Sequence, residues 1–487
     1  MEYSKAEQAH MITNVERQKP QLSWIELIKA ADARLEGHFA SKLQVNRDLK
    51  RTLVSFQANK NEPGFRWFKY KEGFSSALVD YAFDRCGVTN GKIIDPFAGS
   101  GAALFVASRR GLDSVGIELL PIGCEIIRAR REAIANRAEV ISALKKWKVS
   151  DHWINSKQTG TPFAHLAITR GAFSPRNEEL LGKYLRAISK LRGEAVKTVL
   201  RAAALAVLED ISFTRKDGQY LRWDYRSGRR QGEKPFNKGT IKEFDVAIRE
   251  KLTQFLGDLD VSPNLFDRHS RTRRGKTQVN RGSCLEQLPK LPTSSFDALM
   301  TSPPYCNRYD YTRTYALELA LLGVDEASLR TLRQRMVSCT VENREKDDIG
   351  DLFSPTTFEK AKVVFQSQEL LNHIVDYLEA LKVEDQLNNN GIPRMVKNYF
   401  WELTLTLIEC QRILKLGAPL IMVNDNVRYA GISIPVDLIL SRIAEEVGFE
   451  VETLWVLPTG KGNSSQQMGE HGREELRKCV YVWRVLK

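Results

Sequence analysis

The chain has 487 residues and a formal net charge of +13, from 73 Lys and Arg against 60 Asp and Glu. An apolar fraction of 42% and a charged fraction of 27% exclude a disordered or fibrous chain, and no uncharged apolar run approaches the ~18 residues of a membrane helix. Seven scattered cysteines without a CxxC pair, and an N-terminus without an apolar signal segment, predict a cytoplasmic protein with reduced thiols and no metal site.

The positive charge is concentrated in one segment of the chain. Residues 125–281 carry 33 Lys and Arg against 18 Asp and Glu, a net charge of +15, so the remainder carries −2. A basic block on a nearly neutral body favours a surface that binds a polyanion such as nucleic acid. A solvated helical insertion with a basic bias is the alternative.

In chain order, the predicted elements begin with amphipathic helices over residues 1–60 and an aromatic loop over 65–74. A helix at 75–86, an apolar strand at 92–95, a glycine-containing turn, a helix at 102–108 and a strand at 114–118 follow, with another helix at 124–135. Strand, turn, helix and strand within ~30 residues make a βαβ unit, which predicts a parallel sheet.

Helices then interrupt this alternation. They are predicted at 175–210 and 240–256, on either side of a stretch rich in Gly, Arg and aromatic residues at 213–230. Strands return at 278–280 and 296–301, before a second, mostly helical insertion over 306–400. The chain ends with a helix at 399–414, a strand at 419–424, a helix at 435–446 and strands at 451–456 and 478–484.

The turn after the first strand, residues 95–101, reads Asp-Pro-Phe-Ala-Gly-Ser-Gly. It lies where doubly wound sheets bind ligands, at the carboxyl end of a strand that enters a helix. Gly99 and Gly101 allow the backbone to approach a ligand closely, and the helix N-terminus offers free N–H groups. Glu118 ends the next strand, where a carboxylate can accept hydrogen bonds from ribose hydroxyls. The set favours a nucleoside-type ligand over a purely structural turn.

The second notable turn, residues 301–305, reads Thr-Ser-Pro-Pro-Tyr and ends a buried strand. Two prolines cannot continue the hydrogen-bond ladder of a sheet, so they fix a rigid, extended turn. An oxygen of Ser302 and the carbonyl of Pro303 can then accept both hydrogens of an exocyclic amine, and Tyr305 offers a flat face to a base. A strand-terminating turn with a core tyrosine is the alternative.

Together, the two turns resemble the cofactor motif and the catalytic motif of S-adenosylmethionine-dependent amino-methyltransferases of DNA, the N4-cytosine/N6-adenine family. The resemblance implies an α/β fold: a Rossmann-like seven-stranded methyltransferase sheet with two largely helical insertions. It implies that S-adenosyl-L-methionine is held by Asp95, Pro96, Phe97, Gly99, Gly101, Glu118 and Ser283. It also implies that the target base is held by the catalytic residues Ser302, Pro303, Pro304 and Tyr305.

Ser302 stands where adenine enzymes of this family commonly have Asp or Asn, so the resemblance favours methylation of cytosine N4. The target base must leave the duplex to reach such a pocket. The expected substrate is double-stranded DNA, in restriction–modification or phage defence with a possible partner protein. An adenine-N6 enzyme, an RNA base methyltransferase and a catalytically silent nucleic-acid-binding subunit are the alternatives.

Residues 214–242 are the predicted source of DNA contacts, since they carry nine Lys and Arg against three acids, interleaved with glycines and aromatic residues. The mixture is typical of a loop or ribbon that enters a groove, and an exposed loop without a partner is the alternative. The residues predicted to bind nucleic acid are Arg215, Lys216, Arg222, Trp223, Arg229 and Arg230.

The predicted organisation has a methyltransferase domain in three parts, at 61–124, 276–305 and 399–487. An N-terminal helical extension over 1–60 precedes it. A basic insertion over 125–275 is the predicted target-recognition region. A second helical insertion spans 306–398 and is the alternative for the same role, because it starts beside the pocket.

Overall fold

A sheet of eight strands organises the chain, and helices cover both of its faces. The computed structural model describes residues 24–71, 73–157, 160, 163–218, 220–260, 274–458 and 476–486. Its strands are β1 (Leu43–Val45), β2 (Lys92–Asp95), β3 (Asp113–Glu118), β4 (Thr214–Asp217), β5 (Tyr220–Trp223), β6 (Thr277–Arg281), β7 (Ala298–Thr301), β8 (Pro419–Asp425), β9 (Val427–Tyr429), β10 (Ile432–Ile434), β11 (Phe449–Val456) and β12 (Lys478–Val485).

The helices fall before, between and after these strands. They are α1 (24–39), α2 (Ser76–Cys86), α3 (Ala102–Arg109), α4 (Pro121–Ala135), α5 (Arg137–Val149), α6 (Pro175–Ser189), α7 (Glu194–Ile211), α8 (Phe244–Asp260), α9 (Cys284–Gln287), α10 (Tyr311–Thr314), α11 (Ala316–Leu321), α12 (Glu326–Arg335), α13 (Pro355–Gln366), α14 (Glu369–Val383), α15 (Ile392–Ile413) and α16 (Val436–Val447).

The strand order across the sheet is β1-β11-β12-β8-β7-β2-β3-β6. Neighbouring strands are parallel, except that β12 runs antiparallel to both β8 and β11. The chain winds outward in opposite directions from β2 and β7, which makes their boundary the switch point where such sheets bind ligands. The two turns singled out in the sequence follow these two strands.

Successive side chains of the central strands point to opposite faces of the sheet and pack into two cores, one on each face. On β2, Ile93 packs with α2 and α3, whereas Ile94 packs with α1 and the helices α13–α16. On β7, Met300 lies in the same core as Ile93, and Leu299 lies in the same core as Ile94. Because both faces are covered, these strands are apolar throughout, as is typical of parallel sheets.

A third core lies beside the sheet and joins the two insertions. It contains side chains of α5–α8, from the basic insertion, and of α10–α12, from the first part of the second insertion. The rings of Trp153, Tyr184 and Phe244 meet edge to face within it, with centroids 5.3–5.6 Å apart. Two segments that the sequence predicted as separate insertions therefore share one hydrophobic core.

The predicted α/β class and parallel sheet are confirmed, but the sheet has one strand more than the seven expected. The extra strand is β1, which pairs in parallel with Leu454–Val456 at the edge of the sheet. It falls within the predicted helical extension, in which residues 24–39 form an α-helix. β1 has only three residues, whose side chains are partly buried or exposed, so it is too short for a pattern of apolar and polar residues to reveal a strand in the sequence. Residues 1–23 of that extension and 261–273 of the basic insertion lie outside the described residues.

Candidate active site

The first turn bends tightly from β2 into α3. The Ala98 amide donates to the Ile117 carbonyl at 2.9 Å, and the Gly101 amide donates to the Ala98 carbonyl at 2.7 Å. Gly101 begins α3 with φ +82°, and a Cβ there would lie 2.9 Å from Cγ1 of Ile127. Both the left-handed backbone and the close contact therefore require glycine at this position.

Asp95 lies fully buried beneath this turn, at the end of β2. Its Oδ1 accepts hydrogen bonds from Thr301 Oγ1 at 2.6 Å and from the Phe97 amide at 3.0 Å. Its Oδ2 is buried and accepts no hydrogen bond from the residues that the structure describes. Burial raises the pKa of the carboxyl to about 7, although these two hydrogen bonds oppose the shift. Asp95 thus joins the ends of β2 and β7, the strands that carry the two turns.

Glu118 fixes the opposite side of the same turn. Its carboxylate accepts hydrogen bonds from the Gly99 amide at 2.6 Å and from the Leu120 amide at 2.7 Å. Burial raises the pKa of Glu118 to about 8. Each carboxylate oxygen has a second lone pair, so Glu118 can hold the turn and accept hydrogen bonds from a ligand at the same time.

The second turn is held from behind by β8 and β9. Ser302 Oγ donates to the Val423 carbonyl at 3.1 Å and lies 3.2 Å from the Tyr305 hydroxyl oxygen. The Tyr429 hydroxyl donates to the Cys306 carbonyl at 2.7 Å. Because the hydroxyl hydrogen of Ser302 is directed at a backbone carbonyl, its oxygen is left as a hydrogen-bond acceptor.

One cleft, with about 780 Å³ of free space that is partly open to solvent, is lined by both turns. The predicted residues in its walls are Pro96, Phe97, Gly99, Glu118, Ser283, Ser302 and Pro304. Asp95, Gly101, Pro303 and Tyr305 lie behind these walls. Tyr305 is only 6% exposed and its ring lies 5.4 Å from the Lys478 ammonium, so the stacking face predicted for it is not in the cleft wall.

The cleft is also lined by residues that were not predicted as site residues. Tyr70, Gly73 and Phe74 come from the aromatic loop predicted at 65–74. Tyr311, just after the second turn, also lines the cleft. Met336 and Val337 follow α12 and carry no sequence signal, because only the packing of the second insertion brings them to the cleft.

The stretch predicted to bind DNA, expected to be a loop or a ribbon, contains a β-hairpin of β4 and β5. Arg215 pairs in register with Arg222, and both side chains are exposed. Lys216 pairs with Leu221, and both are 4% exposed. The alternation of side chains along a strand thus gives the hairpin a basic outer face and a buried inner face.

The six predicted contact residues therefore divide into two groups. Arg230 is exposed, like Arg215 and Arg222. Arg229 donates to the Arg170 carbonyl at 2.8 Å, and its guanidinium lies 3.5 Å from the centroid of the Trp223 ring, so these two side chains stabilise the loop. The prediction that Lys216 contacts DNA is corrected by the structure. Its buried ammonium is paired with Glu318, and a phosphate contact would have to break that pair.

Comparison with known proteins identifies the family. Over 465 residues, 95% of each chain, the sequence is 50% identical to the type II methyltransferases M.AvaI of Nostoc sp. and of Anabaena variabilis. It is 39% identical to the type II methyltransferase M.BsoBI of Geobacillus stearothermophilus over 468 residues, 92% of this chain and 91% of the relative. The chain belongs to the type II DNA methyltransferases. No family model matches the sequence.

Membership of this family confirms the resemblance drawn from the two turns, and with it site-specific DNA methylation of the restriction–modification type. Within the described parts of the methyltransferase, no helix is long and apolar enough to cross a membrane. In the same residues, no group of three or more His, Cys, Asp or Glu side chains is arranged to hold a metal ion.

Proposed function

We propose that this methyltransferase transfers a methyl group from S-adenosylmethionine to N4 of a cytosine flipped out of double-stranded DNA. The observation that carries the proposal is the single cleft lined by both turns, because it brings a cofactor-type turn and an amine-binding turn to the same space. The product protects a site against a cognate restriction endonuclease, in the reducing cytoplasm where cellular DNA is found.

The residues around the cleft fit S-adenosylmethionine, the cofactor generally used by type II methyltransferases. Glu118 accepts hydrogen bonds from ribose hydroxyls, and Phe97 and Leu120 provide apolar walls for a purine. Asp95 Oδ2, buried and without a hydrogen bond, is an acceptor beneath the same turn. Ser283 lines the wall next to them.

The chain's contribution to the reaction is to prepare the amine. When bound, S-adenosylmethionine would supply an electrophilic methyl group, and its sulfur would keep the electron pair of the broken carbon–sulfur bond. Ser302 Oγ, in the cleft wall, accepts a hydrogen bond from the amine, which helps to localise its lone pair and stabilises the positive charge that develops there. This oxygen is not basic enough to keep the proton that the methylated amine loses, so the proton passes to water.

Tyr311 provides the aromatic face against which the flipped base stacks, because it lines the same cleft as Ser302 and Pro304. Stacking of a base on an aromatic side chain is worth about 1–3 kcal/mol, which offsets part of the few kcal/mol that flipping costs. Contacts with phosphates must supply much of the remainder. We assign these contacts to the outer face of the hairpin, within the target-recognition region over 125–275.

Methyl transfer from tritiated S-adenosylmethionine to DNA and to RNA tests the proposal. We expect label in DNA, N4-methylcytosine on nucleoside analysis, and loss of label with Ser302→Ala. As the matched control, Lys362→Ala, an exposed lysine of α13, should keep full activity. Labelled N6-methyladenine, label in RNA alone, or no label in either polymer would contradict the proposal in favour of the adenine enzyme, the RNA enzyme or the silent subunit, respectively.

DNA binding at several salt concentrations tests the outer face of the hairpin. Combined replacement of Arg215, Arg222 and Arg230 by Ala should weaken binding and reduce the slope of log K against log salt by up to about 3, close to one per phosphate contact. Lys362→Ala should leave the slope unchanged. An unchanged slope in the triple variant would place the phosphate contacts elsewhere.

A further inference from the structure

A buried ion pair lies under the hairpin, outside the cleft. The Lys216 ammonium, on the inner face of β4, donates to the Glu318 carboxylate of α11, and the two side chains are 4% and 1% exposed. Burial raises the pKa of Glu318, although the attraction of Lys216 opposes that shift. Because removing two charges from water offsets most of their attraction, a buried ion pair is a poor way to gain stability, and its best-attested role is to fix one arrangement of its surroundings.

That arrangement extends from the ion pair to the cleft. The Lys216 ammonium lies 4.6 Å from the centroid of the Tyr315 ring and 5.3 Å from that of Phe68. The Tyr315 ring stacks on Tyr70, with centroids 5.0 Å apart and planes 23° apart. Tyr70 lines the cleft, and its Cε1 would lie only 3.1 Å from a Cβ at Gly99. Packed side chains thus connect the hairpin with the first turn.

Backbone hydrogen bonds hold the same residues together. The Tyr315 hydroxyl accepts a hydrogen bond from the Lys71 amide at 2.7 Å, and the Lys71 ammonium donates to the Lys216 carbonyl. The aromatic loop is therefore held between the hairpin and Tyr315 at Lys71, which directly follows Tyr70 of the cleft wall. The opposite face of the same hairpin carries the exposed Arg215 and Arg222.

We infer that Lys216 is a positioning residue: with Glu318 it holds Tyr315 and Tyr70 against the first turn, and so couples DNA contact at the hairpin to S-adenosylmethionine affinity in the cleft. This inference rests on the proposed cofactor and substrate. Coupling of this kind is reciprocal: DNA on the hairpin tightens cofactor binding by the same factor as the cofactor tightens DNA binding.

Three variants of the full chain separate this role from a purely structural one. Lys216→Met keeps an unbranched, buried side chain and removes the charge. Lys216→Met/Glu318→Leu removes both charges, so it leaves no buried charge unpaired and is the variant expected to fold if the single one does not. Arg222→Met is the matched control, since it lies on the same hairpin with its side chain on the outer face.

The dissociation constant of S-adenosylmethionine is measured by calorimetry for each protein, with and without sheared genomic DNA. In the wild type, we expect DNA to lower this constant by about 5-fold or more, the lower end of typical couplings. In the double variant, the constant without DNA should rise about 10-fold, and the effect of DNA should fall below 2-fold. Arg222→Met should weaken DNA binding and leave the cofactor constant without DNA unchanged.

Wild-type affinity and wild-type coupling in a folded double variant would overturn the inference, as would a wild type whose cofactor affinity does not respond to DNA. These results differ from failure of the proposed function, which would show as labelled N6-methyladenine, as label in RNA alone, or as no label in either polymer.

Discussion

Replacing Thr301 by Val tests the hydrogen bond that joins the two turns. Thr301 Oγ1 and Asp95 Oδ1 lie 2.6 Å apart, and the two residues are 1% and 0% exposed, so water cannot substitute for the lost donor. Valine keeps the branched shape that suits a buried strand. It leaves Asp95 with the Phe97 amide as the single donor among the hydrogen bonds described above. An unsatisfied buried acceptor costs about 1–3 kcal/mol, and we expect a loss near 2 kcal/mol in the free energy of unfolding.

The loss should depend on pH, because the hydrogen bond from Thr301 lowers the pKa of Asp95 against the effect of burial, which raises it to about 7. Without that bond the pKa rises further, so the ionised carboxylate is destabilised more than the neutral acid. The difference in unfolding free energy between wild type and Thr301→Val should therefore be larger at pH 8.5 than at pH 6.

Urea unfolding at both pH values measures this difference, and Thr301→Ser, which keeps the hydroxyl, is the matched control. Serine should recover most of the stability at both pH values. A valine variant as stable as the wild type, or a penalty that is equal at the two pH values and shared by serine, would refute the assigned role of the hydrogen bond.

Three further predictions concern the same turns. Ser302→Ala should lower kcat by about 100-fold, measured by methyl transfer, with the cofactor dissociation constant unchanged, because it removes an interaction that strengthens as charge develops on the amine. In the wild type, the free energy of unfolding should fall as the pH rises from 4 to 7, because the unfolded chain loses the Asp95 proton near the ordinary pKa of about 4 and the folded chain holds it to about 7. Asp95→Asn should make this fall smaller. Gly101→Ala should cost about 2 kcal/mol or more in urea unfolding, because it combines backbone strain with contact against Ile127. Gly171→Ala, at φ +72° in open space, isolates the strain alone and should cost less.

The turns could be predicted from the sequence because their chemistry is local. Glycines at 99 and 101 and the two prolines at 303 and 304 constrain the backbone whatever surrounds them. Strand boundaries around them are marked by apolar runs, so the positions of β2, β3 and β7 were also accessible. These features, together with Glu118 at the end of β3, were sufficient to locate the cleft.

The direction of Lys216 could not be predicted, because Thr-Arg-Lys-Asp has no apolar alternation to show which side of a strand faces inward. Its neighbour Arg215 has the same charge and the opposite exposure, and only the pairing with β5 and the packing on α11 distinguish them. Met336 and Val337 were inaccessible for a related reason. They reach the cleft through the fold of the second insertion, more than 200 residues after the first turn in the sequence.

The single core shared by the two insertions limits how either insertion can be exchanged between relatives. A recombination event that exchanged residues 125–275 alone would set Leu205 and its neighbours from one parent against Leu317 and its neighbours from the other. A mismatch in such a core costs as much as a large-to-small core substitution, about 2–5 kcal/mol at each badly filled position. Viable chimeras between relatives should therefore inherit both segments from the same parent, although two strands of the catalytic sheet lie between them in the gene.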